Sequence, residues 1–249
     1  MKDLSLLLLA VCVISHCFAQ DDRKEPSPTS VAYHDYRQYE TVPPYGLEKV
    51  KQLIKYKTAR STNEDDDQWT DSLPEKLYRS LSFRERFTYN MIYEESFSQN
   101  CDIDQPVVDE EKKIFGHLAR ERGEGSWSDR QAKFFDDNKD SAIALMTESI
   151  GRAKRVGLNY KYVIVYINAT SMIPTLIDTY NMQKKDRDIL TVLMLLMLNG
   201  KYTPFMESLS CKKLYVGKDT YYDASLAFNS ANEALIIQRA TDFYNGLGK

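Results

Sequence analysis

The sequence predicts an all-α fold of stacked antiparallel helical hairpins, arranged as a short α-solenoid or an irregular helical bundle. Two apolar blocks, at 162–167 and 192–197, carry this prediction. Each block is followed by a second helix pattern with a proline in the same position, Pro174 and Pro204, and a third copy without the proline begins at Ser141. Such a period is typical of stacked helical hairpins, because one hairpin cannot bury its apolar face alone.

The composition is that of a globular protein. Of 249 residues, 43% are hydrophobic and 28% are charged, which excludes disorder throughout the chain. Because 33 basic residues stand against 36 acidic ones, there is no surplus of positive charge for a phosphate backbone. We therefore predict no nucleic acid partner.

Residues 1–19 predict a cleaved signal peptide. Lys2 precedes an apolar stretch from Leu4 to Ile14, and small residues before Gln20 place the cleavage after Ala19. The apolar stretch is shorter than the ~20 residues of a spanning helix, and no later segment is long enough. A lipoprotein anchor at Cys17 is the less favoured alternative. The prediction is a secreted or periplasmic protein with no transmembrane span.

Cys101 and Cys211 remain after cleavage of the signal peptide. In an oxidising compartment an even pair of cysteines indicates a disulfide. In the chain-entropy model, the long loop it closes would add about 4 to 5 kcal/mol of stability. Two separate buried thiols are the alternative that the sequence leaves open.

Residues 20–43 predict a disordered leader, because charged residues and prolines dominate them. Tyr33, Tyr36 and Tyr39 recur there at steps of three, which would also suit one side of a helix or a partner contact. Residues 44–249 are predicted to form a single α-helical domain. A short helix over about 45–58 opens it, and an acidic loop follows over 61–71.

Two capping boxes predict the next two helices, since Ser72 precedes Glu75 and Ser82 precedes Glu85 by three residues. The second of these helices carries an aromatic stripe that includes Phe87, which we assign to the core. Residues 106–118 then predict a further helix with His117 beside its apolar face as a partly buried core residue.

A third capping box, Ser128 with Gln131, begins the region of the hairpins. The acidic run 136–140 is similar to a calcium loop, but Ser141 and Thr147 stand where the loop needs glycine and glutamate. We therefore predict a solvated turn between helices and no metal.

The hairpin region and a final helix complete the prediction. One helix begins at Ser141, and Tyr160 to Ile167 is helical because its counterpart, Ile189 to Leu198, is rich in leucine and methionine. The last runs from Ser230, capped with Glu233, to Gly246 and buries one face. Residues 214–222, which precede the last helix, suit a small extended pair. The final helix buries Ala234, Ile237, Thr241 and Tyr244.

The paired helices with an early proline in the second helix resemble HEAT-type repeats over about residues 128–210. The repeats are shorter than the ~40 residues usual in that family, and there are two clear copies. The resemblance implies an α-solenoid whose concave face binds a protein or peptide. It carries no catalytic residues across to this chain.

The sequence contains few of the residue patterns that are typical of catalytic or metal-binding sites. His34 and His117 are the only histidines after the signal peptide, and no phosphate loop, CxxC pair or HExxH motif occurs in the sequence. Glu94 and Glu95 are the nearest candidates for carboxylate chemistry, although the end of a helix favours solvated side chains. Asn168 begins a glycosylation sequon that falls on a packed helix in this prediction.

We therefore predict a non-catalytic interaction or structural module without catalytic residues, metal or cofactor, whose partner is a protein or peptide. The alternative is a carboxylate-dependent hydrolase acting on glycans.

Overall fold

A computed structural model of the chain describes residues 24–61, 68–99, 105–119, 124–217 and 224–247. These residues are mostly helical, with two small antiparallel sheets. The α-helices are α1 (Pro28–Arg37), α2 (Leu47–Ile54), α3 (Glu75–Ser80), α4 (Phe83–Ile92), α5 (Asp129–Asp137), α6 (Lys139–Ala153), α7 (Leu158–Tyr166), α8 (Ile173–Gln183), α9 (Asp188–Asn199), α10 (Thr203–Met206), α11 (Leu209–Tyr215) and α12 (Ser230–Gly246). The strands are β1 (Thr58–Ser61), β2 (Gln68–Ser72), β3 (Ser96–Ser98), β4 (Lys113–Phe115), β5 (Gly125–Ser126) and β6 (Ser225–Ala227).

Helix α9 lies at the centre of the main core. Every residue from Asp188 to Met197 is buried, and the helix packs against α7, α8, α10 and α12. A helix that is apolar around its whole circumference has to be enclosed by other elements. The Leu- and Met-rich block identified in the sequence is therefore the axis around which the others are arranged.

The helical assignment of Tyr160 to Ile167 is confirmed, because α7 covers most of this segment. Pro174 and Pro204 both occupy the first turn of a following helix, where the missing N–H costs nothing. The two following helices differ in length, however. Helix α8 has 11 residues and α10 has 4, so the second unit is truncated.

A second, smaller core is separate from the main one. Its buried residues come from α2, α3, α4 and the connections beside them: Val50, Leu73, Tyr78, Leu81 and Tyr89. The sheet has the antiparallel order β1-β2-β3-β5, and Trp69 of β2 pairs with Phe97 of β3. Their rings stack with centroids 5.6 Å apart.

The all-α prediction is thus confirmed only for the helical majority. The two sheets show that the fold is not entirely helical. The predicted helix at 106–118 is wrong. A 3-10 turn spans Glu110–Lys112 and β4 follows it, pairing with β6 through Ile114 and Leu226. The short β4 is stabilised by a partner more than a hundred positions away.

The predicted extended pair at 214–222 is also wrong where it can be compared, because Leu214 lies in α11 and residues 218–223 lie outside the described part.

The predicted disordered leader is wrong from Pro28 onward. Ser27 caps α1 by accepting a hydrogen bond from the amide of Ser30 at 3.1 Å. Tyr33 and Arg37 of this helix are buried. The predicted signal peptide at 1–19 and residues 20–23 lie outside the described residues.

Two of the capping boxes are confirmed. Glu85 accepts from the amide of Ser82 at 2.8 Å, and Gln131 accepts from that of Ser128 at 3.2 Å. Ser72 does not cap α3, because it ends β2. At the C-terminus, α12 is capped by Asn229 instead of Ser230.

The predicted buried face of α12 is wrong for Ala234 and Tyr244, which are exposed, whereas Ile237 and Thr241 are partly buried and Ile237 packs against the core. Ile236, Ala240 and Phe243 are the buried residues, so the apolar face is turned relative to the predicted one. The predicted end of this helix at Gly246 is confirmed.

Cys211 is a buried free thiol in the structure, and Cys101 lies outside the described residues. The disulfide between them therefore stays a prediction. Of the helices described, none is long and apolar enough to cross a membrane.

Candidate functional site

A cavity of about 580 Å³ opens between the end of α4, one face of α7 and the β3–β5 edge of the sheet. Five aromatic side chains line it: Tyr93, Phe97, Trp127, Tyr162 and Tyr166. Its carboxylates are Glu40 and Glu94. Leu158 and Asn159, at the start of α7, complete that side of the lining.

Asn159 joins three segments at the inner wall of the cavity. Its Oδ1 accepts from the amide of Thr41 at 3.0 Å, and its Nδ2 donates to the carbonyl of Met91 at 2.9 Å. Gly157 allows this close approach, because a Cβ there would lie 2.1 Å from the Thr41 nitrogen. The segment that carries Glu40 is therefore held against the start of α7.

Contacts outside the cavity fix its aromatic wall. Trp127 packs on Phe135 with centroids 4.7 Å apart and meets the edge of Tyr166 at 5.3 Å. The hydroxyl of Tyr166 donates to Asp136 at 2.9 Å, and that of Tyr162 donates to the carbonyl of Ala119. These rings are positioned before any ligand binds.

Glu94 lies against the backbone of β5. A Cβ added at Gly125 would come within 1.8 Å of its Oε2, so the carboxylate occupies the space that a side chain at 125 would fill. Gly125 itself pairs with Phe97 across the sheet. The carboxylate of this cavity-lining residue therefore lies against the backbone of a strand that also lines the cavity.

Glu95 points away from the cavity and is fully buried. Its carboxylate accepts from the hydroxyls of Tyr89 and Ser128, both at 2.6 Å, and from Arg130 Nε at 2.8 Å. Burial raises the pKa of Tyr89, and the Glu95 carboxylate raises it further. The expectation of a solvated Glu95 is therefore wrong, and its role here is to join α4, α5 and the sheet.

A second cluster of buried charges joins α1 to the core. Arg37 donates to Glu110 Oε1 at 2.8 Å and to Asp188 Oδ1 at 2.9 Å, while Lys161 donates to Asp186 at 2.6 Å. Burial acts to lower the pKa of Arg37, but Asp188 and Glu110 outweigh it and raise the pKa above its ordinary value. Since opposite charges alternate along the cluster, it is a structural clamp.

The tyrosines at steps of three, two of them on α1 and the third just after it, pack against cations of the core. The Arg187 guanidinium lies 5.0 Å from the ring centroid of Tyr33, and that of Arg155 lies 4.1 Å from Tyr36 and 3.9 Å from Tyr39. Tyr33 and Tyr36 therefore lie on one side of α1, as one of the alternatives to a tether had it, whereas Tyr39 follows the end of the helix and is more than half exposed. Cation–π contacts of this kind stabilise a helix against its support.

The other residues singled out in the sequence lie away from the cavity. His117 is half-buried with its ring edge-on to Tyr215 at 5.8 Å, which confirms a partly buried packing position. The acidic run 136–140 forms the end of α5 and the start of α6, which Asn138 alone separates, so the predicted turn is reduced to this one residue. Within the described ranges no group of three or more His, Cys, Asp or Glu could hold a metal. Asn168 is exposed in the turn after α7, so its placement on a packed helix is wrong.

Glu94 is the one cavity residue that the sequence identified as a candidate. In the sequence, Tyr162 and Tyr166 stood out only as members of an apolar block and not as site residues. Their spacing of four on α7 puts both on one side of the helix. Glu40 and Trp127 lie in segments whose sequence contains no pattern that indicates a binding site.

No protein family model, no curated protein and no solved structure matches the chain. Function is therefore inferred from the cavity and its surroundings.

Proposed function

We propose that this protein is a non-catalytic, secreted or periplasmic binding module whose ligand occupies the cavity between α4, α7 and the sheet. The cavity volume of about 580 Å³ carries this proposal. Small-molecule sites typically enclose about 300 to 1,000 Å³ and combine apolar walls with a few polar groups. The aromatic wall and the two glutamates have this composition.

The packing of the wall supports binding as the main role. Trp127 and Tyr166 are supported from behind by Phe135 and Asp136, so little side-chain freedom is lost when a ligand enters. A preorganised site loses less entropy on binding and keeps more of its contact energy as affinity. The ligand could be a small molecule or one side chain of a protein or peptide partner, in keeping with the predicted interaction role.

A carboxylate-dependent hydrolase acting on glycans is the second candidate. The observation that favours it is that Glu40 and Glu94 line one cavity. Glycoside hydrolysis uses two carboxylates on either side of the scissile bond, and aromatic rings pack against sugar faces. This candidate predicts release of reducing ends from a glycan, which the binding module does not.

Two further proposals accompany this function. The first is the description of α7 to α10 as stacked hairpins that resemble HEAT repeats, which the matching positions of Pro174 and Pro204 support. The second is the bridge between Cys101 and Cys211, which titration of free thiols in the unfolded, unreduced protein would test.

The binding proposal is tested with a soluble panel of amino acids, short peptides, oligosaccharides and organic amines. Binding is followed by calorimetry and by Trp fluorescence in a Trp69→Phe background, where Trp127 is the remaining tryptophan. We expect a saturable signal with at least one class. Tyr166→Ala, which opens the wall, should weaken that signal at least about tenfold.

Tyr56→Ala is the matched control, because this tyrosine is exposed and does not line the cavity. Equal binding by both tyrosine variants would contradict the cavity as the site. Reducing ends released from an oligosaccharide by the wild type, and lost in both Glu40→Gln and Glu94→Gln, would establish the hydrolase in place of the binding module.

A further inference from the structure

The described lining of the cavity combines five aromatic rings with polar groups that are mostly bound within the protein already. Resting on the proposed binding function, we infer that the cavity takes a neutral aromatic ring in preference to a saturated ring of the same size or to a sugar. A free small molecule and an aromatic side chain of a peptide are the two sources of such a ring.

The first observation concerns the hydroxyl groups of the three tyrosines in the wall. Tyr162 donates its hydroxyl hydrogen to an alanine carbonyl, and Tyr166 donates to an aspartate at 2.9 Å. The hydroxyl of Tyr93 accepts from Lys57 Nζ at 3.1 Å. None of these three partners, all of them described residues, lines the cavity. The rings of the tyrosines, and not their hydroxyls, are therefore what they contribute to a ligand.

The second observation is that Asn159, a polar residue of the wall, uses its whole amide group within the protein. Its Oδ1 accepts from the backbone amides of Thr41 and Tyr160, both at 3.0 Å. Its Nδ2 donates to the carbonyls of Thr41 and Met91 at 2.8 and 2.9 Å. Two bonds accepted and two donated are the full capacity of this side chain. It therefore holds the wall together and has no hydrogen bond left for a ligand.

The two carboxylates of the wall do not change this balance. Glu40 and Glu94 each interact with other groups as well, so neither is without a partner. A sugar that enters the cavity gives up hydrogen bonds between its hydroxyls and water and finds few replacements, which costs affinity. A neutral aromatic hydrocarbon ring gives up no such bonds.

The third observation is that rings of the wall are already arranged in aromatic pairs. Phe97 stacks on Trp69 with centroids 5.6 Å apart. Trp127 packs on Phe135 at 4.7 Å and meets the edge of Tyr166 at 5.3 Å. Aromatic pairs in offset or edge-on arrangements attract one another beyond the effect of the area they bury. A ligand ring extends these arrangements, whereas a saturated ring fills the same space without a π-system.

The test compares benzyl alcohol with cyclohexylmethanol, which has a saturated ring of similar size. A second pair, N-acetyl-phenylalanine amide and N-acetyl-cyclohexylalanine amide, distinguishes a peptide side chain from a free small molecule as the source of the ring. Methyl β-glucoside represents a sugar. Binding of the five probes is measured by calorimetry and by Trp127 fluorescence in the Trp69→Phe background.

We expect the aromatic member of at least one pair to bind about fivefold or more tightly than its saturated partner, and the glucoside to bind more weakly than that aromatic probe. Tyr166→Leu, which removes a ring and keeps an apolar side chain, should lower the aromatic preference. Tyr166→Phe keeps the ring and should lower it less, and Tyr56→Ala is the control outside the cavity. Thermal unfolding checks that each variant is folded, and Phe97→Leu supplies the result if Tyr166→Leu does not fold.

A saturated ring or the glucoside that binds as tightly as the aromatic probe would overturn the inference, and so would equal losses of preference in Tyr166→Phe and Tyr166→Leu. If non-aromatic members of the panel bind, the aromatic probes do not, and Tyr166→Ala removes that binding, the binding function stands and the selection of aromatic rings falls. If none of the five probes and no member of the panel binds, both fall together.

Discussion

Arg37 Nε donates to Asp188 Oδ1 at 2.9 Å, which joins residues 151 positions apart in a buried ion pair. Asp188 begins the central helix α9, and Arg37 ends α1. The chain that leaves α1 then passes through Glu40 to Thr41, where Asn159 holds it. This clamp therefore supports the position of a glutamate in the cavity wall as well as the docking of the helix.

Replacing Arg37 with methionine should destabilise the fold strongly. The substitution leaves Asp188 and Glu110 as buried carboxylates without their shared cation, a change that typically costs about 3 to 5 kcal/mol. The free energy of unfolding is measured in urea. Arg79→Met is the control, because Arg79 pairs with Glu75 in the exposed part of α3 and should cost about 0.5 kcal/mol or less. Similar losses of unfolding free energy in both variants would show that the buried ion pairs contribute no more to stability than an exposed one.

Acid should remove the contribution of Glu110 to stability. Burial acts to raise the pKa of Glu110, but hydrogen bonds from His34, the Val107 amide and Arg37 outweigh it and hold the pKa below its ordinary value of 4.5. A lowered pKa in the folded state stabilises the protein above the unfolded pKa, and this contribution is lost as the pH falls through the folded value.

The measurement is the difference in unfolding free energy between the wild type and Glu110→Gln, from about pH 7 to about pH 3. We expect the wild type to lose its advantage below about pH 4.5, where the carboxylate gains a proton. Other titrating groups are present in both proteins, so most of their effect cancels in the difference. An advantage that stays constant or grows with acid would contradict this assignment.

Amidation of the neighbouring carboxylates Glu94 and Glu95 should have different main effects. Glu95→Gln weakens the bonds to Arg130, Ser128 and Tyr89 in a fully buried position, and we expect a loss of about 2 to 4 kcal/mol. Glu94→Gln, in the cavity wall, should cost less stability and change ligand binding. Chemical denaturation and calorimetry of both variants separate the two roles. A larger loss of stability in Glu94→Gln would reverse the assignment.

Two glycines near the junction of α6 and α7 should give opposite signs on substitution by alanine. A Cβ at Gly157 would lie 2.1 Å from the Thr41 nitrogen, so the backbone has to shift and we expect a loss of about 2 kcal/mol or more. Gly151 lies inside α6 with no atom within 4 Å of its Cβ position, and alanine there should stabilise by about 0.5 to 1 kcal/mol. Thermal and chemical unfolding of the two variants provide the comparison.

The features that the sequence predicted correctly depend on neighbours within one turn of helix. The capping boxes at Ser82 and Ser128 join residues three positions apart, and the prolines of α8 and α10 act on their own first turn. The period of apolar blocks identified α7 and α9 as helices because it repeats the same local composition. Such signals are readable before any long-range contact is known.

The features that the sequence missed depend on distant partners. Helix α1 reads as a charged, proline-bearing leader because Glu110, Asp188 and Arg155, which hold it, lie far along the chain. Strand β4 exists through its pairing with β6, although its residues would also suit a helix. Glu94 faces a cavity and the adjacent Glu95 faces a partly buried arginine, and both arrangements exist only once α4, α5 and the sheet are assembled.

The sequence by itself thus determined a helical majority, a central apolar helix and the start of several helices, because hydrogen bonds within a turn and local apolar spacing specify them. Only the tertiary structure decided which charges are buried and which residues share a cavity. Burial and ion pairing are set by the distance between side chains in space, and residues 151 positions apart, such as Arg37 and Asp188, come within 2.9 Å only in the folded chain.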